Sequence, residues 1–364
     1  MKAQPQMKIS HEVPYTLTRA GTVMIPDPAD PNEAEGVLNP ASGRGPDGTL
    51  YLLPRLVADG NVSRVGLATV TVVDGRPVGV ERQGVVLEPD AGWERSPLHA
   101  GVEDPRITFL PGLGRFVMTY VAYGPLGPRP ALATSTDLHT WERLGPLHFG
   151  YQEDLDMDLN LVPNKDVVFF PEPVPGPDGA LCFAALHRPM WDLDWIVPGA
   201  GNHLPAGLAD DRPGIWISYV PVADALHDVA ALTRLGGHKL VALPEFPFED
   251  LKIGAGPPPI RVPEGWLLIH HGVSGTIVPG VDQQKGAHYS AGAMILSAND
   301  PSTVLARTAV PLLEPTTEAE RSGIVPNVVF PTAIEMIGDQ RYVFYGMADS
   351  RIGVATLERV GASE

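Results

Sequence analysis

The sequence predicts an all-β fold, a five-bladed β-propeller, and three observations predict it. Long amphipathic helical periods are hard to find, whereas short β-rich runs bounded by Asp-Gly, Gly-Pro and Pro-Gly turns recur from end to end. The 364 residues include 39 Gly and 39 Pro, which cut helices short and mark turns. Five apolar runs resemble one another, with centres roughly 65 to 85 residues apart, a period that fits one four-stranded blade with generous loops.

In chain order the runs are Leu50-Tyr51-Leu52-Leu53-Pro54-Arg55, Phe116-Val117-Met118-Thr119-Tyr120, Leu181 to Arg188, Trp266 to His271, and Tyr342-Val343-Phe344-Tyr345. Each follows a turn, and five such units fill residues 1–364 as one domain. Between the second and third runs, Ala133 to Glu142 reads as an apolar strand, a turn and then Trp141, a residue able to cap a blade edge. A propeller leaves a central funnel into which the ends of inner strands point. Polar residues closing the runs are therefore expected to converge there: Arg55, Tyr120 with Tyr123, His187 with Arg188, His270 with His271, and Asp349.

Composition narrows the function. With 44% apolar and 19% charged residues the chain is an ordinary soluble globular one. A formal charge of −17 repels a polyphosphate backbone, so no nucleic-acid partner is expected. The single cysteine, Cys182, lies in an apolar run and reads as a buried hydrophobe, which excludes an intramolecular disulfide. Met1 to Pro14 lacks the apolar core of a secretory signal and no stretch reaches the length of a membrane span, so a cytoplasmic protein with no membrane partner is expected. The 11 His are scattered without ligand spacing, and no phrase marks a nucleotide or flavin site; no metal and no organic cofactor are expected.

Three phrases carry polar chemistry. Gly101-Val102-Glu103-Asp104-Pro105-Arg106 places two carboxylates before a proline that stiffens the backbone and an arginine that can pair with one of them. Asn164 to Glu172 sets Lys165 and Asp166 before a buried strand, and Lys252 to Ile260 sets a lysine before a Gly/Pro stretch where backbone can approach a ligand closely.

Taken together with Asn39-Pro40, His187-Arg188-Pro189, His271-Gly272-Val273, Val325 to Phe330 and Tyr345 to Asp349, these phrases run in order along nearly the whole chain. In that order they resemble glycoside hydrolase family 130, the β-mannoside phosphorylases and related β-mannosidases, whose fold is a five-bladed propeller. The resemblance implies one catalytic acid, Asp104, which protonates the leaving glycosidic oxygen by relay through a sugar hydroxyl. Inorganic phosphate, as co-substrate, then attacks the anomeric carbon from the opposite face to give α-mannose 1-phosphate with inversion. One acid suffices because phosphate arrives as an anion, whereas an inverting hydrolase needs a second carboxylate to deprotonate water.

An anion beside a carboxylate on so acidic a protein requires local cations. The resemblance assigns phosphate binding to Arg188, Lys252 and His271, with Lys165 where another cation is usual; it assigns sugar binding to Asn39, Arg55, Asp349 and Tyr289. Glu103 and Arg106 read as the residues that orient Asp104 and tune its acidity. The partners expected are a small carbohydrate and phosphate, with a homo-oligomer possible.

Two departures from the family's pattern stand out. A loop insertion at about 191–211, containing Trp191, Trp195 and His203, is expected to rim the funnel, either as a stacking subsite for the leaving sugar or as a longer loop. At Thr316 to Glu320 the aromatic residue that commonly precedes the glutamate is missing. The alternatives are an inverting β-mannosidase, with Glu172, Glu249 or Glu320 as the base, and a propeller that binds carbohydrate without catalysis.

Overall fold

The computed structural model describes residues 9–96, 100–125, 127–194, 197–277 and 284–361. Within them nearly all regular structure is antiparallel sheet, as the turn-rich sequence predicts. Two short α-helices, Val222–His227 and Glu318–Arg321, stand among the strands, and no helix is long and apolar enough to cross a membrane.

The strands form antiparallel meanders. The first is Gly36–Arg44, Leu50–Ala58, Val62–Val73 and Arg76–Leu87, and the second Ala100–Leu110, Arg115–Gly124, Gly127–Ser135 and Glu142–Pro146. These two share one sheet through a short parallel pairing of Val62 with Ala100 and Ser63 with Gly101. The third is Asn164–Phe169, Leu181–Pro189, Ile215–Pro221 and Arg234–Ala242; the fourth is Lys252–Ala255, Gly265–Gly275, Ala287–Leu296 and Val304–Arg307. The last, Val329–Ile337, Gln340–Met347 and Arg351–Arg359, takes its outer strand from the N-terminal segment Tyr15–Met24, which pairs with Arg351–Arg359. Both ends of the described chain thus lie in one sheet, with the N-terminal segment as its outer strand.

Apolar side chains glue each meander to the next. Leu53, Leu67 and Val102 pack with Met118 between the first and second, and Leu132 with Phe183 and Trp216 between the second and third. Ile217 meets Leu268 and Met294, and Leu267 meets Val343 and Leu357. Val37 and Leu52 pack on Phe344 and Val354, so the last meander returns to the first. The first strands lie innermost: Gly36–Arg44 touches Ala100–Leu110 and Val329–Ile337, and Asn164–Phe169 touches Ala100–Leu110 and Lys252–Ala255. Cys182 is buried in one of these clusters, and Trp141 is buried at a blade edge with its indole N–H donating to Leu138 O (3.0 Å).

Buried charge ties the meanders at their margins. Glu94 accepts from Arg143 Nε (2.8 Å), Tyr120 Oη (2.7 Å) and Ala91 N (3.0 Å). Glu249 takes Arg307 Nη2 (2.7 Å), His270 Nε2 (2.8 Å) and Phe246 N (3.1 Å); Glu320 takes Arg19 Nε (2.8 Å), Tyr345 Oη (3.1 Å) and Thr317 N (2.9 Å). Glu33 takes Arg82 Nε (2.7 Å) and Asp27 N (2.7 Å). Each carboxylate is fully buried and fully satisfied, the condition under which a buried ion pair persists.

These clusters correct one sequence expectation. Tyr120 and His270 do not point into a shared funnel, because successive strand residues face opposite sides of the sheet. In the third and fourth meanders the next residue, Arg188 or His271, faces the centre, and its neighbour His187 or His270 faces outward. The insertion is corrected as well: Trp191 does not rim a funnel but is buried, edge-on to Trp216 at 5.9 Å, while His203 is exposed and donates its backbone N–H to Trp191 O. Trp195 lies outside the described residues.

Candidate active site

Three innermost strands bulge at one place. Pairing slips between Leu38 and Ala41, between Glu103 and Arg106, and between Lys165 and Val168. Asn39, Asp104 and Asp166 occupy these bulges in the left-handed region, at φ 42°, 48° and 57°. Asn and Asp tolerate that conformation better than other side chains, which explains their recurrence at the bulge. A bulge re-aims its side chain, and here it brings three polar groups to the centre.

Asp104 is the hub of one half of the site. Its Oδ1 accepts from Asn39 Nδ2 at 2.9 Å and from Arg55 Nη1 at 3.1 Å. Arg55 also binds Glu103 Oε1 (2.9 Å) and Ser63 Oγ (2.8 Å), and Glu103 Oε2 lies 3.6 Å from Lys165 Nζ. Arg106 is fully buried, donates to Gly256 O (2.9 Å) and to Asp104 O (3.2 Å), and stacks over Phe330 at 5.4 Å. Glu103 and Arg106 therefore hold the Asp104 turn from both sides.

The other half is cationic. Arg188 Nε donates to Asp166 Oδ2 at 2.6 Å, and the same oxygen lies 3.5 Å from His271 Nε2. Lys252 Nζ sits 5.5 Å from the centre of the Tyr289 ring, whose hydroxyl donates to Gln284 Oε1 (3.1 Å). Gly254 leaves room for this packing: a Cβ there would collide with the Asp166 carboxylate and the His271 ring. Arg188 Nη1 and both ring nitrogens of His271 are buried without a hydrogen-bond partner among the described residues, and the guanidinium donor together with the one N–H of a neutral imidazole suits an oxyanion.

Electrostatics separates the two carboxylates. Burial works against the charge of Asp104, but Arg55, Lys165, Arg106 and the Asn39 amide outweigh it and hold the group below the usual carboxylate range. Burial pushes Asp349 up to about 7, with Asp104 and Glu103 adding to the shift against the pull of Arg55. One proton thus settles on Asp349 first, and the two acids titrate as a pair. Lys252 is brought down to about 7 by burial and by the neighbouring Arg188 and Lys165, with Asp166 opposing. Burial, with Arg188, Arg106 and Lys252, brings His271 down to about 3, so it serves as a neutral imidazole and not as the cation expected from sequence. Asp166 is held well below the carboxylate range, burial being overcome by Arg188, His271 and Arg106.

All eleven site residues singled out in the sequence fall in this one cluster. Asp166 was missed as a participant: it is the counter-ion of Arg188, and its signal was its place in the repeat, equivalent to Asp104 and Asn39. The three candidate bases for water lie elsewhere. Glu249 and Glu320 are locked in the buried clusters described above, and Glu172 lines a cavity of about 750 Å3 farther along the inner strands, with Ser42, Phe109 and Glu335. Glu320, ahead of which the usual aromatic is missing, is held by Arg19 and Tyr345.

The family model described as beta-1,4-mannooligosaccharide phosphorylase matches residues 56–192 and 224–360, most of the chain and every site residue except Asn39 and Arg55. The chain belongs to glycoside hydrolase family 130. Among its relatives, the 1,2-beta-oligomannan phosphorylase of Thermoanaerobacter sp. strain X514 is 33% identical over 261 residues, which span 71% of this chain and 68% of that one. The Listeria innocua beta-1,2-mannobiose phosphorylase, solved with beta-1,2-mannobiose, has the same fold, with a TM-score of 0.67 at 21% identity over 95% of this chain and 96% of that one. A family 130 structure reported with glycoside hydrolases that target beta-1,2 mannosidic linkages in Candida mannan superposes with a TM-score of 0.66, at 23% identity over 96% of each chain.

Proposed function

We propose that this family 130 member is an inverting β-mannoside phosphorylase, a single catalytic unit of five blades with the eleven-residue cluster at its centre. The observation that carries this reading is the pairing of one carboxylate hub, Asp104, with a buried cationic half, Arg188 and Lys252, that has unpartnered donors. Two of the relatives named above are phosphorylases of β-mannosides, which supports the same substrate class.

In this reading Arg55, Asn39, Asp349 and Tyr289 hold the mannosyl unit, and Arg188, Lys252, His271 and Lys165 hold phosphate. A phosphate oxygen forms the new bond to the anomeric carbon as the bond to the leaving oxygen breaks, and the Asp104 proton passes through a sugar hydroxyl to that oxygen. A bound dianion offsets the cations that keep Asp104 ionised, so phosphate itself raises the pKa of Asp104 and favours its protonated form. Hydrolysis is the second reading, carried by the hydrolases known in the family. It is disfavoured because Glu249 and Glu320 are engaged in buried ion pairs and Glu172 lines a separate cavity. No cofactor enters the chemistry.

The deciding experiment follows the products from β-1,2- and β-1,4-mannobiose by NMR, with and without inorganic phosphate. Phosphate-dependent α-mannose 1-phosphate is expected; free mannose formed equally without phosphate moves the assignment to the hydrolase. A second test uses sulfate, which keeps its charge where phosphate titrates. Lys252 attracts it only when protonated, so inhibition by sulfate should weaken as pH rises through about 7. A flat sulfate inhibition constant across that range would remove Lys252 from the anion site.

A further inference from the structure

Four meanders are tied by a buried glutamate that grips an arginine of the outer strand: Glu33 with Arg82, Glu94 with Arg143, Glu249 with Arg307, and Glu320 with Arg19. The third meander, which delivers Lys165, Asp166 and Arg188, has no such pair among the described residues. In its place stands a chain of neutral groups. Asn164 Nδ2 lies 3.0 Å from His187 Nδ1, His187 Nε2 lies 2.7 Å from Ser218 Oγ, Ser218 Oγ lies 2.7 Å from His238 Nδ1, and His238 Nε2 lies 2.8 Å from Gly150 O.

The direction of this chain follows from its two ends. Gly150 O can only accept, so His238 carries its proton on Nε2 and accepts at Nδ1 from the Ser218 hydroxyl. At the other end the Asn164 amide donates to His187 Nδ1, so His187 donates from Nε2 to the same hydroxyl. Ser218 therefore accepts from one imidazole and donates to the other, and every proton has one place. His187, His238 and Ser218 are buried, and burial brings both imidazoles below their ordinary range, which keeps the chain uncharged.

We propose that Ser218, with His187 and His238, is a positioning element for the anion site, locking the two strands from which Lys165 and Arg188 project. Asn164 precedes Lys165 and His187 precedes Arg188, and Lys165 and Arg188 are cross-strand partners, so the chain binds next to both cations. A buried carboxylate at this place would give the Arg188 guanidinium a second counter-ion beside Asp166 and weaken its field at phosphate. A neutral chain holds the strands without that competition. In the second and last meanders, where a buried glutamate is kept, the residue after the tethered tyrosine is Val121 or Gly346, and in the fourth, where Glu249 tethers His270, it is the neutral His271, so no cation follows the tether.

This inference rests on the phosphate reading above, and the test separates the two. Phosphate binding is measured by calorimetry, and KM for mannobiose in phosphorolysis, in the parent, Ser218→Ala and Glu94→Gln. Ser218→Ala should raise the phosphate Kd about tenfold while KM for the sugar stays within about twofold, because it strands His187 Nε2 and His238 Nδ1 in the meander that carries Lys165 and Arg188 and leaves the Asp104 half untouched. Glu94→Gln should lower the melting temperature without moving the phosphate Kd. An unchanged phosphate Kd in folded Ser218→Ala, or an equal rise in Glu94→Gln, overturns the positioning role. If Ser218→Ala does not fold, the ring nitrogens of the parent decide by 15N NMR: both histidines should be protonated on Nε2, and an Nδ1 proton on either overturns the chain. A parent that binds no phosphate overturns the reading on which the inference stands, and is recognised by that alone.

Discussion

Asp104→Asn should lower kcat by about 10³-fold while leaving the affinity for mannobiose within a few-fold, the loss expected when a positioned acid is removed. The amide retains the shape of the carboxylate, and its oxygen can still accept from Asn39 Nδ2 and Arg55 Nη1, the two groups that hold Asp104 now. Arg55 keeps Glu103 as a counter-ion, so the neutralised side chain leaves no orphaned guanidinium behind. What the amide cannot do is release a proton at neutral pH. Steady-state kinetics with phosphate in excess and calorimetry with the disaccharide make the measurement. A kcat within tenfold of the parent would dismiss Asp104 as the acid and direct attention to Asp349, whose carboxyl holds its proton up to about 7.

Arg188→Ala should raise KM for phosphate by about 100-fold or more, since truncating one member of a buried, hydrogen-bonded charge pair costs about 2–5 kcal/mol. The Arg188 side chain is nearly buried against Asp166 and contributes a further donor, Nη1, that no described protein atom meets. Removing it also takes away the arginine that hydrogen-bonds Asp166 and leaves Arg106 and Lys252 as its nearby cations, so a loss of thermal stability should accompany the kinetic effect. Arg188→Lys should restore little, because a single ammonium cannot replace a planar fork that binds Asp166 with one nitrogen and an oxyanion with another. Phosphate titration at saturating sugar distinguishes this from a general loss of structure: KM for the sugar should move far less than KM for phosphate. A variant that responds to phosphate as the parent does would put the anion site elsewhere.

The residues by themselves determined the all-β class, since turn residues and alternating apolar runs act through local backbone sterics. They also determined the family, because phrases such as Glu103-Asp104-Pro105-Arg106 and Lys252-Ile253-Gly254-Ala255-Gly256 are contiguous and ordered. The members of the site were legible for the same reason: Asp104, Arg188 and His271 each sit at a marked position in a repeat. Their charge states and partners were not. His271 is neutral because burial and three surrounding cations act on it from strands far apart in the chain, and no local pattern records that sum. The same holds for Tyr120 and His270, whose outward direction is set by strand alternation and by partners, Glu94 and Glu249, brought close only by packing. Trp191 looked like a rim residue in a Gly/Pro-rich segment, yet it is a core residue because Trp216, on the neighbouring strand Ile215–Pro221, offers it an apolar face. Identity is written along the chain, whereas electrostatics is a property of what the fold places within a few ångströms, and only the tertiary structure decides that.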